Sequence, residues 1–132
     1  MIPDNDRGQS AMRTVLSKMN ELGGFSLSVL TDLQGFPIAS AASPGQAPDV
    51  QAAVVALVQK TAAQVRDRLG MAAADEITLF DAAGRRLVCR PFSVRDYGLI
   101  LAVMIPDRRK RYRLLTNRAI RAIHAELQSI WG

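Results

Sequence analysis

Apolar and polar positions along this chain repeat with two different periods, and the changes of period divide it into successive elements. Met12, Val15, Leu16, Met19 and Leu22 recur at helical spacing, which predicts a first helix over residues 11–22, stopped by Gly23-Gly24. Phe25, Leu27 and Val29 then alternate with Ser26 and Ser28, the period of a strand with one buried face. Asp32-Leu33-Gln34-Gly35 has turn chemistry, an aspartate to bond local N–H groups and a glycine for positive φ. Phe36 to Ala41 returns as a second strand, in which Pro37 suits only an edge or a strand start. After a loop over residues 43–48, Val50, Val54, Leu57, Val58, Thr61, Val65 and Leu69 form an apolar stripe along a long second helix ending at Gly70. That stripe is expected to cover one face of a sheet.

Residues 76–81 read as a short third strand, with Ile77 and Leu79 on one face and Thr78 and Phe80 on the other. Ala82 to Arg85 turns the chain into a fourth strand, Arg86 to Val94, interrupted by Pro91. Tyr97 to Ile105 is apolar on both faces, as a central strand covered on both sides would be. A last helix is expected from Arg108 to Ile130, with Thr116, Ile120, Ile123, Leu127 and Ile130 as its stripe. The order is α-β-β-α-β-β-β-α. Tight turns join antiparallel neighbours, so the expectation is an α+β fold in three layers, a five-stranded antiparallel sheet flanked by helices. Residues 1–9 read as a flexible tail and 10–132 as one domain.

Composition narrows the class. With 132 residues and 48% apolar content, the chain is long enough to bury a core without disulfides or metal. Cys89 is the only cysteine, which fits a reducing compartment. No basic segment leads into an apolar one at the N-terminus, and the longest apolar run, Leu99 to Ile105, is far shorter than the ~20 residues that span a bilayer. A cytoplasmic protein without a transmembrane segment is expected. The net charge of +5 is unevenly spread. From Arg108 onward there are seven basic residues and one acid, Glu126, so the whole excess lies on the last segment.

Catalytic patterns are missing. Neither GxxxxGK[ST] nor GxGxxG occurs, which argues against a nucleotide-hydrolysing or dinucleotide enzyme. His124 is the single histidine and falls within a helix, a poor start for a triad or a zinc site. Asp75 and Glu76 are adjacent at a strand entry, where alternation would send them to opposite faces as solvated groups. Cys89 shares a strand face with Leu87 and reads as packing. No catalytic residue, cofactor or metal is expected.

Two features ask for more than a fold. Ala52, Val55, Ala56 and Ala63 lie outside the apolar stripe of the second helix, and small residues permit a second helix to approach closely. The third strand is short, and an edge strand invites another. Together they predict a homodimer interface of Ala52, Val55, Ala56 and Ala63 with Glu76, Thr78 and Phe80 of the strand. The second feature is the basic set Arg108, Arg109, Lys110, Arg111, Arg113, Arg118 and Arg121. Positive charge at a helix N-terminus opposes the macrodipole, so the cluster is not explained by local stability. It suits an acidic protein surface, nucleic acid or anionic lipid; with only Tyr112 and distant Trp131 as stacking aromatics, nucleic acid is the less favoured.

Leu22-Gly23-Gly24-Phe25 and the hairpin Asp32-Leu33-Gln34-Gly35-Phe36-Pro37-Ile38-Ala39-Ser40, followed by a long helix, a strand meander and a final helix, resemble the roadblock/dynein light chain family and its bacterial branch. The resemblance covers roughly residues 11–130 and implies a profilin-like sandwich. It also implies a non-enzymatic module that dimerises through its third strand and second helix and binds or scaffolds a Ras-like small GTPase. The basic last helix departs from many members of that family. Two other classes stand beside this one: a small-molecule sensor of the profilin or PAS type, which needs a pocket with convergent polar groups, and nucleic-acid binding through the basic last helix.

Overall fold

A computed structural model of the chain describes residues 6–131. Its elements are α1 (Asp6–Gly23), β1 (Leu27–Asp32), β2 (Pro37–Ala42), α2 (Pro48–Leu69), β3 (Ile77–Phe80), β4 (Arg86–Val94), β5 (Tyr97–Ile105) and α3 (Arg113–Trp131). The strands form one sheet in the order β2-β1-β5-β4-β3, antiparallel throughout. The expected order and sheet are present. Several boundaries differ. β1 starts at Leu27, not Phe25, and both of its faces are buried, not one, because it lies between β2 and β5 with helices on either side. β2 and β3 differ by a residue at each end. α1 starts at Asp6, so residues 6–9 of the expected tail are helical, while residues 1–5 lie outside the described residues. α3 starts at Arg113, five residues later than expected, because Asp107 closes a turn first: its carboxylate accepts from the N–H of Arg109 and its carbonyl from that of Lys110.

Why β5 is central follows from its two apolar faces. Leu99, Leu101, Val103 and Ile105 join one core with Met12, Leu16, Ile123 and Leu127 under α1 and α3. Ile100 and Ala102 join a second core with Val29, Cys89, Ala52 and Val55 under α2. The prolines obey the ladder. Pro37 lies on the outer strand β2 at a break in register with β1, and Pro91 lies past the end of β3, which pairs only with Arg86–Cys89.

The position of α2 is set by the first hairpin. Asp32 Oδ1 accepts from the N–H groups of Gln34 and Phe36, both at 2.9 Å, and holds the turn closed. Gly35 has φ of +86°, and a Cβ there would lie 2.5 Å from Ala56 Cβ and 2.8 Å from the Ala52 carbonyl oxygen. Glycine in the turn and alanine in the helix thus let the two backbones touch.

This contact corrects the expected orientation of α2. The small-residue face turns inward: Ala52 is 1% exposed, Val55 is 0% exposed, and both are sheet-facing core of their own chain. Most of the stripe expected to cover the sheet turns outward, with Val50, Val54, Leu57, Val65 and Leu69 all exposed, while Val58 packs partly against the sheet-facing core. A leucine at the hairpin contact would not fit, so shape, not hydrophobicity, decides which face is buried.

Candidate functional site

Two surfaces, one on each side of the sheet, carry features that folding of a single chain leaves unused. The first is the outer side of α2. Val50, Val54, Leu57, Thr61 and Val65 follow one another on one helix face in solvent. α2 packs chiefly on β1 and β2, away from the β3 edge of the sheet. There a groove of about 490 Å³ opens, lined mainly by Val58, Ala62, Val65, Met71, Ile77 and Leu79. β3, the wall of that groove, is an edge strand with one unpaired flank.

The expected interface residues divide here. Ala52 and Val55 are buried within the chain and offer no surface; Ala56 is half-buried against Gly35, and Ala63 is half-buried. On β3 the neighbours of α2 are Ile77 and Leu79. Glu76, Thr78 and Phe80 belong to the opposite side: Glu76 and Thr78 bond toward the start of α3, and Phe80 stacks on Arg86.

The second surface is the start of α3. Arg86 is only 8% exposed, and its guanidinium lies between the rings of Phe80 and Tyr112, 5.4 and 4.9 Å from their centroids. Its Nη2 donates to the carbonyls of Arg108 at 3.0 Å and Lys110 at 2.6 Å. Arg90, also 8% exposed, donates to Thr116 Oγ1 and Asn117 Oδ1 in the first turns of α3. The basic set is therefore built on two buried arginines that the sequence pattern does not single out. No local signal marks them, since an arginine at an inward strand position looks like an error in alternation.

Asp75 is exposed, as expected, and Glu76 is half-buried, but both are paired. Arg113 Nη2 donates to Asp75 at 3.0 Å, and its Nη1 to Glu76 at 2.9 Å. Tyr112 Oη and Thr78 Oγ1 each donate to Glu76 Oε2 at 2.7 Å. Glu76 precedes β3, so strand alternation does not apply to it, and both carboxylates converge on one arginine. Burial pushes the Glu76 carboxyl up, but the hydrogen bonds from Tyr112 and Thr78 and the charge of Arg113 outweigh it and hold the group below its usual range. The hydrogen bond and charge of Arg113 hold Asp75 low as well. Burial, then the bond to Glu76, raises the Tyr112 phenol.

Of the basic set, Arg108, Arg109, Lys110, Arg111 and Arg113 gather around one recess with Arg86. Arg118 lines a separate groove between α1 and α3 with Lys18, and Arg121 is exposed farther along α3. Among the described residues no group of histidine, cysteine or carboxylates is arranged to hold a metal, and no helix is long and apolar enough to cross a membrane. Burial pushes the Cys89 thiol up to about 12, so at neutral pH it stays a protonated packing group.

No protein-family model matches the sequence, and no curated protein matches it. Solved structures do match in fold. A gliding protein MglB from Thermus thermophilus has a TM-score of 0.74 at 17% identity, over 98% of this chain and 96% of that one. An MglB structure described as having a tetrameric arrangement has a TM-score of 0.77 at 17% identity, over 98% and 96%. A Roadblock/LC7 domain from Streptomyces avermitilis has a TM-score of 0.72 at 13% identity, over 91% and 98%. The hairpin signature, the order of elements, the five-stranded sheet and this likeness over nearly the whole chain agree: the protein has the fold of a roadblock domain.

Proposed function

We propose that this chain is a non-enzymatic, homodimeric regulatory or scaffold module of the bacterial cytoplasm that binds and modulates a Ras-like small GTPase. The observation that carries the self-pairing part is the exposed apolar face of α2, continuous with the groove beside the unpaired edge of β3. A second copy supplies what that surface lacks, an apolar helix face and an edge strand, across a two-fold axis. The pairing residues are then Val54, Leu57, Val65, Ile77 and Leu79 instead of the inward alanines. The structural relative described in a tetrameric arrangement is a self-associating protein of the same fold. The GTPase part rests on the family resemblance; such a module acts by favouring one switch conformation of its partner.

Sedimentation velocity tests the first part. The expected species has twice the 14.4 kDa of the chain, and Leu57→Asp with Leu79→Asp returns it to a folded monomer. The second part is tested by mixing the dimer with the Ras-like GTPases of the same genome, loaded with GDP or a non-hydrolysable GTP analogue. Nucleotide-dependent complex formation is expected, and its absence with every such GTPase in both states refutes the reading. A small-molecule sensor gains no support from the groove beside α2, whose lining holds Thr61 and Arg66 as its only polar side chains and so lacks convergent polar groups.

A further inference from the structure

The recess at the start of α3, about 590 Å³ in volume, is a surface of donors. Arg86 draws the carbonyls of Arg108 and Lys110 inward, which leaves cationic side chains as what the loop presents outward. α3 adds its own positive end. No acidic residue lies in its first turn, and Thr116 is the first N–H to find a carbonyl, that of Tyr112. Arg113 is neutralised by Asp75 and Glu76, but Arg108, Arg109, Lys110 and Arg111 have no ion pair among the described residues.

Beneath them the charge balance is incomplete. Arg86 is more than nine-tenths buried, its Nε has no hydrogen-bond partner, and no carboxylate of the described residues pairs with it or with Arg90. Buried cations without a counter-charge cost free energy that a bound anion would offset. Clustered guanidinium groups match a phosphate, which they grip by two parallel bonds.

What carries that phosphate is indicated by the apolar side chains beside it. Leu114 is 61% exposed in the same turn. Leu22, 62% exposed in the last turn of α1, lines the neighbouring groove with Lys18 and Arg118, and Leu115 lines both. Leucines raised among arginines suit a bilayer interface, where one kind enters the acyl boundary and the other meets head groups. Nucleic acid would need stacking aromatics, and Tyr112 is already held by Glu76 and Arg86. We propose that this recess binds the phosphate of anionic phospholipids and docks the α3 side of the protein on an acidic bilayer surface.

The test is co-sedimentation of the full chain with vesicles of phosphatidylcholine and phosphatidylglycerol, against phosphatidylcholine alone. Binding is expected only to the mixed vesicles and falls with salt. Arg109→Gln with Arg111→Gln weakens it roughly thirty-fold. Lys60→Gln with Arg68→Gln, an equal charge loss on α2, leaves it unchanged. Leu114→Ser weakens it several-fold at constant charge, and far-UV circular dichroism checks that each variant is folded. Binding to phosphatidylcholine alone, no binding to either vesicle, or equal losses in the two charge variants overturns the proposal. So does stabilisation by inorganic phosphate without vesicle binding, or tighter binding of a DNA or RNA duplex at the same salt.

Discussion

On one face of the sheet, α1 and α3 bury Met12, Leu16, Ile123 and Leu127 completely; on the other, α2 alone buries Gln51, Ala52 and Val55 and leaves Val50, Leu57 and Leu69 mostly in solvent. The first face is closed by interdigitated large side chains. The second is closed by small ones, because the Gly35 turn comes within contact of the helix backbone. The difference teaches that an apolar stripe on a helix does not choose its own partner. Where the approach is too close for leucine, alanine goes inward and the stripe is left for another surface.

The largest effect that tests this contrast is truncation on the closed face. Ile123→Ala should cost about 2–5 kcal/mol in urea unfolding, the range for a fully buried large aliphatic. A cost below that of Val55→Ala would break the contrast. Next comes Gly35→Ala. It meets Ala56 and the Ala52 carbonyl and forces an L residue to φ of +86°, so overpacking of about 1–3 kcal/mol adds to the strain. Gly84 serves as its control. The turn at Asp81 repeats the first one, with Asp81 Oδ1 accepting from Ala83 and Arg85, and Gly84 has φ of +88°. A Cβ there comes no closer than 3.6 Å to Arg108, so Gly84→Ala should show the strain alone. Equal costs at the two glycines would mean that the hairpin does not position α2.

Smaller is the effect of Glu76→Gln, about 1 kcal/mol at neutral pH from the weakened bonds to Arg113, Tyr112 and Thr78. Because the folded group titrates below its ordinary value of 4.5, its contribution is complete above that pH and is lost as pH falls through the folded value. Wild type and variant should therefore converge in acid, which a pH series of unfolding midpoints reads. The smallest effect on chain stability belongs to Leu57→Ser with Leu79→Ser. Both positions are exposed, so the monomer should change by less than about 0.5 kcal/mol while self-association is lost. A large loss of monomer stability would show that the outer face of α2 is core after all.

Much of the fold was legible. The alternation of β3, the Asp32 and Gly35 turn, the two-faced β5 and the helix stops at Gly23-Gly24 and Gly70 are local signals, and the structure keeps them. The single buried face expected of β1 is not kept, because that strand is also covered on both sides. The basic segment was legible as a charge excess, but not as a site. Arg86 lies 22 residues from the Arg108 carbonyl that it binds, and Asp75 lies 38 from Arg113. No sequence period spans such separations.

By itself, then, the sequence determined the elements, their order and the antiparallel pairing, because turn chemistry and periodicity act between residues a few positions apart. Only the tertiary structure decided which face of α2 meets the sheet and which charges stand unpaired at the start of α3. Both depend on the distance between surfaces that the chain brings together from far apart. Side-chain volume settles the first, and the reach of a guanidinium to a distant carbonyl or carboxylate settles the second.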